Sequence, residues 1–245
     1  MARSSVVSGL RLHHEGSSGL AALRHEAAWA LRRLWLPALV LAAVMVGLGL
    51  LLTKVLDTGW LPQEDQQLGR ELAASREPDE VALTSIFTLL AETPTIIALT
   101  AVAAVVFRLV FHRWRESVLV VCAVVGETLI FWVTTMLIDR QRPRLPQLDD
   151  APPTSSFPSG HTAASVAFYG TVALVVLWHT RHIWLRVLAV AIAVAVPLLV
   201  GGSRLYRGMH YPTDVLAGLL LGVAWLSTVA VCLRPERRLD RVRTR

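Results

Sequence analysis

Six apolar runs, each long enough to cross a bilayer, constrain this chain more than any other feature. They lie at about 34–56, 83–111, 117–138, 161–179, 183–202 and 213–233, and a spanning helix needs roughly 20 residues. In hydrocarbon every backbone N–H and C=O must be satisfied within the segment, so a run of this length folds as a helix. The expected fold is therefore all-α, a polytopic membrane bundle of six transmembrane helices. Composition agrees: 54% of the 245 residues are hydrophobic and only 17% are charged, where soluble domains run nearer a quarter charged. That excludes a disordered chain, a disulfide scaffold and a typical cytosolic enzyme.

The second run is interrupted by Glu92-Thr93-Pro94, so the stretch before Pro94 reads either as interfacial or as a kinked first turn. Residues 1–33 carry Arg3, Arg11, Arg24, Arg32 and Arg33 and read as a basic tail, helical from Leu20. This tail is too long for the charged region of a signal peptide, and the apolar run after it lacks a small-residue cleavage site. The first helix is therefore expected to stay. The organisation expected is a cytoplasmic basic tail over 1–33, a six-helix membrane domain over 34–233 and a second cytoplasmic basic tail over 234–245.

Orientation follows from the basic residues. With both termini inside, sixteen of the 24 Lys and Arg residues fall on the inner side and eight on the outer. Basic residues favour the cytoplasmic face, so the N-in, C-in arrangement is expected. The arginines cluster at the edges of apolar runs, where they orient helices. The net charge of +6 therefore does not point to nucleic acid.

Three polar patches then fall at one membrane face. Arg140-Gln141-Arg142-Pro143 ends the third run, Pro158-Ser159-Gly160-His161 opens the fourth, and Ser203-Arg204, His210 and Asp214 join the fifth to the sixth. Guanidinium forks match phosphate oxygens and stay charged. Ser159-Gly160-His161 begins a helix, where free N–H groups and the positive dipole end favour an anion, and Gly160 lets that backbone come close. Pro212 suits a first helical position and puts Asp214 in the opening turn. From there Asp214 could accept a hydrogen bond from one nitrogen of His210 and leave the other to attack phosphorus, with His161 as proton donor to the leaving oxygen.

Arg-Pro, Pro-Ser-Gly-His and Ser-Arg-x5-His-x3-Asp resemble the three signature motifs of the type 2 phosphatidic acid phosphatase (PAP2) superfamily, in its integral-membrane lipid phosphatase branch. The last motif alone would arise by chance about once in a thousand chains of this length. The resemblance implies that His210 is the nucleophile forming a phosphohistidine, Asp214 orients and polarises it, and His161 is the general acid and then the base. It also implies that Arg142 and Arg204 hold the phosphate oxygens, aided by Ser159 and the backbone of Gly160. The family needs no metal or other cofactor, and the sequence holds no His/Cys/Asp/Glu cluster that suggests one. A lipid phosphate or diphosphate is the implied substrate: an isoprenyl diphosphate, phosphatidic acid or phosphatidylglycerophosphate. The count of basic residues puts the site at the outer face, and the Ala/Arg-rich, lysine-poor composition and compact build point to a bacterial plasma membrane.

One position departs from the pattern. The family's first motif begins with a lysine seven residues before the arginine, and Thr135 stands there. Arg140, Arg144 and Arg207 are the candidate replacement cations. The departure also keeps open a non-catalytic lipid-phosphate-binding or transport protein. Glu127 and Glu92 fall within apolar runs, and structural hydrogen bonding or protonation accounts for them better than an ion relay.

Overall fold

The computed structural model describes residues 4–151 and 153–234, with side chains from Gly19 onward. The second tail, apart from Arg234, and the first residues of the leading tail lie outside the described residues. The chain runs α1 (Ser4–Leu50), α2 (Trp60–Ala74), α3 (Pro78–Leu89), α4 (Thr93–Phe111), α5 (Arg115–Leu137), α6 (Gly160–His179), α7 (Ile183–Tyr206) and α8 (Pro212–Cys232). A π-helical turn, Leu51–Val55, ends α1. Six helices among the described residues are long and apolar enough to span: α1 with its π turn, then α4 to α8.

The interrupted second run resolves into two helices. The chain leaves α3 at Leu89 and restarts at Thr93, with extended Glu92 as N-cap and Pro94 in the first turn. Proline supplies no N–H there and needs none. At 12 residues α3 is too short to cross, and it packs against α7 near the site. The loop expected over 57–80 contains α2, a 15-residue helix.

Lipid tails are as apolar as leucine, so helices in a membrane gain little from burying hydrophobic surface against each other. Close packing of small residues does the work instead. That explains α6, whose buried positions include Ala163, Ser165, Ala167, Gly170, Thr171 and Ala173. It lies against α5, α7 and α8. Trp225 of α8 is buried and donates its indole N–H to the Ala123 carbonyl of α5 at 2.9 Å. Ile97, Leu129, Val187 and Leu216 instead face outward, on the surface that meets hydrocarbon.

Candidate active site

The three polar patches converge. Arg142, Gly160, His161, Arg204 and His210 line a single cavity of about 1040 Å³. Gly160, His161 and Arg204 stand at helix ends, and Arg142 and His210 in the segments that join helices. Gly160 is the first residue of α6, and a Cβ there would lie 2.9 Å from the Phe131 ring, so a glycine is needed for that fit. Arg204 is in the last turn of α7. The chain then turns through Gly208 in the left-handed region at φ +72°, and the N–H groups of Gly208 and Met209 close the helix end. His210 follows at once.

The ring of His210 is buried, and its Nδ1 lies 2.8 Å from the Ser156 carbonyl oxygen. A carbonyl only accepts, so Nδ1 carries the hydrogen and Nε2 keeps the lone pair. Burial lowers the His210 pKa, and the Asp214 carboxylate works against that shift.

Asp214 differs from expectation. Its Oδ2 is 3.9 Å from His210 Nδ1, beyond hydrogen-bond range. Oδ2 accepts the Tyr211 N–H at 2.9 Å, which closes the start of α8, and Oδ1 takes the guanidinium of Arg140. The carboxylate therefore acts on His210 through space, and the backbone of Ser156 sets the ring. Ser159 also departs. Its hydroxyl is buried against that of Thr162 at 2.9 Å, away from the cavity, while its N–H donates to the Asp214 carbonyl at 2.9 Å.

The two guanidinium groups are incompletely paired. Arg142 donates from Nη1 to the Met209 carbonyl at 2.9 Å, and Arg204 donates from Nη1 to Asp149 Oδ2 at 2.7 Å. The Nε of each is buried without a hydrogen-bond partner. Unpaired buried donors are costly unless a ligand supplies the acceptor. An oxyanion between them would satisfy both.

None of the three candidate replacement cations lines this cavity. Arg140 bridges Asp65 and Asp214 and stacks on Tyr211, 4.7 Å from the ring centre. Arg207 holds Asp149 and donates to the Val81 carbonyl at 3.1 Å. Arg144 lies beside Gln66, Arg70 and Tyr211 at a separate small hollow. Thr135 is buried, its hydroxyl 3.4 Å from the Ser155 carbonyl.

Two residues that sequence reasoning passed over organise the site. Asp149 takes both Arg204 and Arg207. Burial pushes its carboxyl up, but hydrogen bonds and charge from Arg207 and Arg204 outweigh that and hold it below the usual carboxylate range. Asp65 on α2 is 3% exposed and accepts from Thr213 N at 3.2 Å and Arg140 Nη2 at 2.8 Å. The acidic pair Asp149-Asp150 beside a motif was a visible signal; Asp65 had none.

A cationic, histidine-lined cavity at the helix ends of a membrane protein suits a phosphate group. Residues 117–238 match the PAP2 superfamily. Phosphatidylglycerophosphatase B of Bacillus subtilis is 29% identical over 181 residues, which cover 71% of this chain and 85% of that protein. An undecaprenyl-diphosphatase of Sulfolobus acidocaldarius is 40% identical over 84 residues, 34% of this chain and 36% of that one. The fold matches the crystal structure of a transmembrane PAP2 type phosphatidylglycerolphosphate phosphatase from Bacillus subtilis, with a TM-score of 0.70 and 24% identity over 84% of this chain and 97% of that one. The chain belongs to the PAP2 superfamily and is a PAP2-type membrane lipid phosphatase.

Proposed function

We propose that the chain hydrolyses a phosphomonoester or diphosphate of a lipid through a phosphohistidine intermediate. The observation that carries this is the pair of partnerless donors, Arg142 Nε and Arg204 Nε, on residues that share one cavity with His161 and with His210, whose Nε2 is unprotonated. A phosphate seated on the guanidinium groups brings its phosphorus to that lone pair. Nε2 attacks, the P–O bond to the lipid breaks, and His161 gives its proton to the leaving oxygen. His161 then takes a proton from water, the hydroxide attacks phosphorus, the P–N bond breaks and its electrons return to Nε2.

The lipid nature of the substrate is supported by the cavity wall. Ile97, Leu129 and Trp132 line it and are also exposed on the outer surface of α4 and α5, so the cavity opens sideways toward hydrocarbon. A headgroup can sit at the histidines while its tail stays in lipid. Phosphatidylglycerophosphate, phosphatidic acid and an isoprenyl diphosphate all present the required phosphate; the relatives named for phosphatidylglycerophosphate and undecaprenyl diphosphate fit that range. The excess of basic residues at the opposite ends of the helices supports a site on the extracytoplasmic face of a bacterial plasma membrane, with both basic tails inside.

The test is phosphate release from short-chain lipid phosphates in detergent with EDTA present. Release by the wild type, its loss in His210→Ala and its inhibition by vanadate are the expected results. A well-folded wild type that releases no phosphate from any of them would overturn the reading.

A further inference from the structure

We propose that Glu127, on the wall of the cavity that Glu92 also lines, forms an acceptor subsite for a hydroxyl on the carbon next to the substrate's phosphate ester. The subsite selects phosphomonoesters of polyol-headed lipids over polyprenyl diphosphates. This rests on the phosphatase reading above and concerns the same cavity.

Glu127 lies in the middle of α5 and is 1% exposed, yet it lines the cavity. Its Oε1 has no hydrogen-bond partner. Its Oε2 receives only a 3.4 Å contact from Thr128, whose hydroxyl makes its better bond to the Val124 carbonyl at 2.9 Å. A carboxyl group keeps an acceptor oxygen in either protonation state, and a buried acceptor without a donor calls for one from the ligand. Glu92, the N-cap of α4, faces the same cavity.

Depth fixes what the donor can be. The Phe131 ring abuts Gly160, so the phosphate end of the cavity is level with Phe131. Glu127 is four residues earlier on the same helix, about 6 Å further toward the membrane centre at 1.5 Å per residue. That offset suits a hydroxyl one carbon past the ester oxygen, plus a hydrogen bond of about 2.8 Å. A metal cation there would share the cavity with Arg142 and Arg204, whose charges oppose it; a neutral hydroxyl meets no such repulsion. Polyprenyl phosphates carry no donor there and would leave Oε1 unpaired.

The experiment compares two short-chain diacyl lipids, one with a 3-phosphoglycerol headgroup and one with a 3-phosphopropanol headgroup that lacks the middle hydroxyl. The wild type should prefer the first by roughly 10- to 100-fold in kcat/KM, since a site built for a hydroxyl rejects the analogue without it. Glu127→Leu should lose that factor on the first lipid and leave the second unchanged, and Glu127→Gln, which keeps an acceptor, should retain most of the preference. Equal wild-type rates on the two lipids would overturn the subsite while His210-dependent hydrolysis upheld the phosphatase. A parallel loss on both lipids in Glu127→Leu would also overturn it. If that variant fails to fold, the wild-type comparison alone decides. Hydrolysis of neither lipid by folded wild type that still releases phosphate from phosphatidic acid or an isoprenyl diphosphate would overturn the subsite alone, and release from none of these would remove both proposals.

Discussion

His210 Nδ1 donates to the backbone carbonyl of Ser156 at 2.8 Å. The ring is thus held by main chain, and the nitrogen left for bonding to phosphorus is Nε2. The trapped intermediate should be the Nε2 isomer of phosphohistidine. Acid-quenched enzyme, digested under basic conditions and resolved by isomer-specific chromatography, reads this directly. An Nδ1 adduct would contradict the tautomer.

Burial, the larger influence, lowers the pKa of His210. Attack needs the neutral ring, so the acid limb of kcat/KM should fall below the ordinary imidazole value of about 6.5. The same shift has a stability counterpart. An unfolded chain takes up this proton near pH 6.5 while the folded one resists until lower pH, so folding is weakened as pH drops through that window. A pH–rate series, with the substrate's own ionisation measured separately, checks the limb. An inflection above 6.5 that tracks His210 would refute it.

Arg140 and Arg144 should separate cleanly. Arg140→Ala leaves Asp65 and Asp214 buried without their shared cation, a change that costs about 3–5 kcal/mol in comparable buried pairs. Its main effect should be a lower Tm in detergent. Arg144 is exposed, and Arg144→Ala should stay within about 0.5 kcal/mol of wild type with unchanged KM. A raised KM in Arg144→Ala at normal Tm would return it to the phosphate site.

Asp149 holds Arg204 while adding negative charge to the cavity. Asp149→Asn keeps an acceptor for the guanidinium and removes the charge that competes with phosphate. KM should fall, on the order of threefold. Asp149→Ala removes the support as well, and kcat should drop by roughly tenfold, the scale of one charged hydrogen bond. Steady-state kinetics on one lipid phosphate distinguishes the two, and identical kinetics in both variants would argue against either role.

Much of this was legible in the chain. The six spans follow from length and apolarity, because the bilayer allows few other solutions. The break before α4 was visible at Pro94, though only the extended backbone at Glu92 decided between a kinked first turn and a separate stretch too short to span. The imidazoles and guanidinium groups stood out as candidates because phosphate chemistry needs those side chains, and one cavity gathers them. What stayed hidden were partners without a local signature. The acceptor for His210 is a main-chain carbonyl 54 residues away, which no residue type announces. Arg140, Arg144 and Arg207 looked alike beside the motifs, and only distant carboxylates, such as Asp65 at a separation of 75 residues from Arg140, tell them apart.

The helix α6 runs 20 residues from Gly160, about 30 Å, and its first turn holds His161. On the proposed mechanism it acts as a ruler whose zero mark is the reacting centre. A bilayer thicker than the rod would draw that mark below the headgroups, and a thinner one would lift it into water. Turnover should therefore depend on acyl-chain length in the surrounding lipid, even where the substrate itself is unchanged.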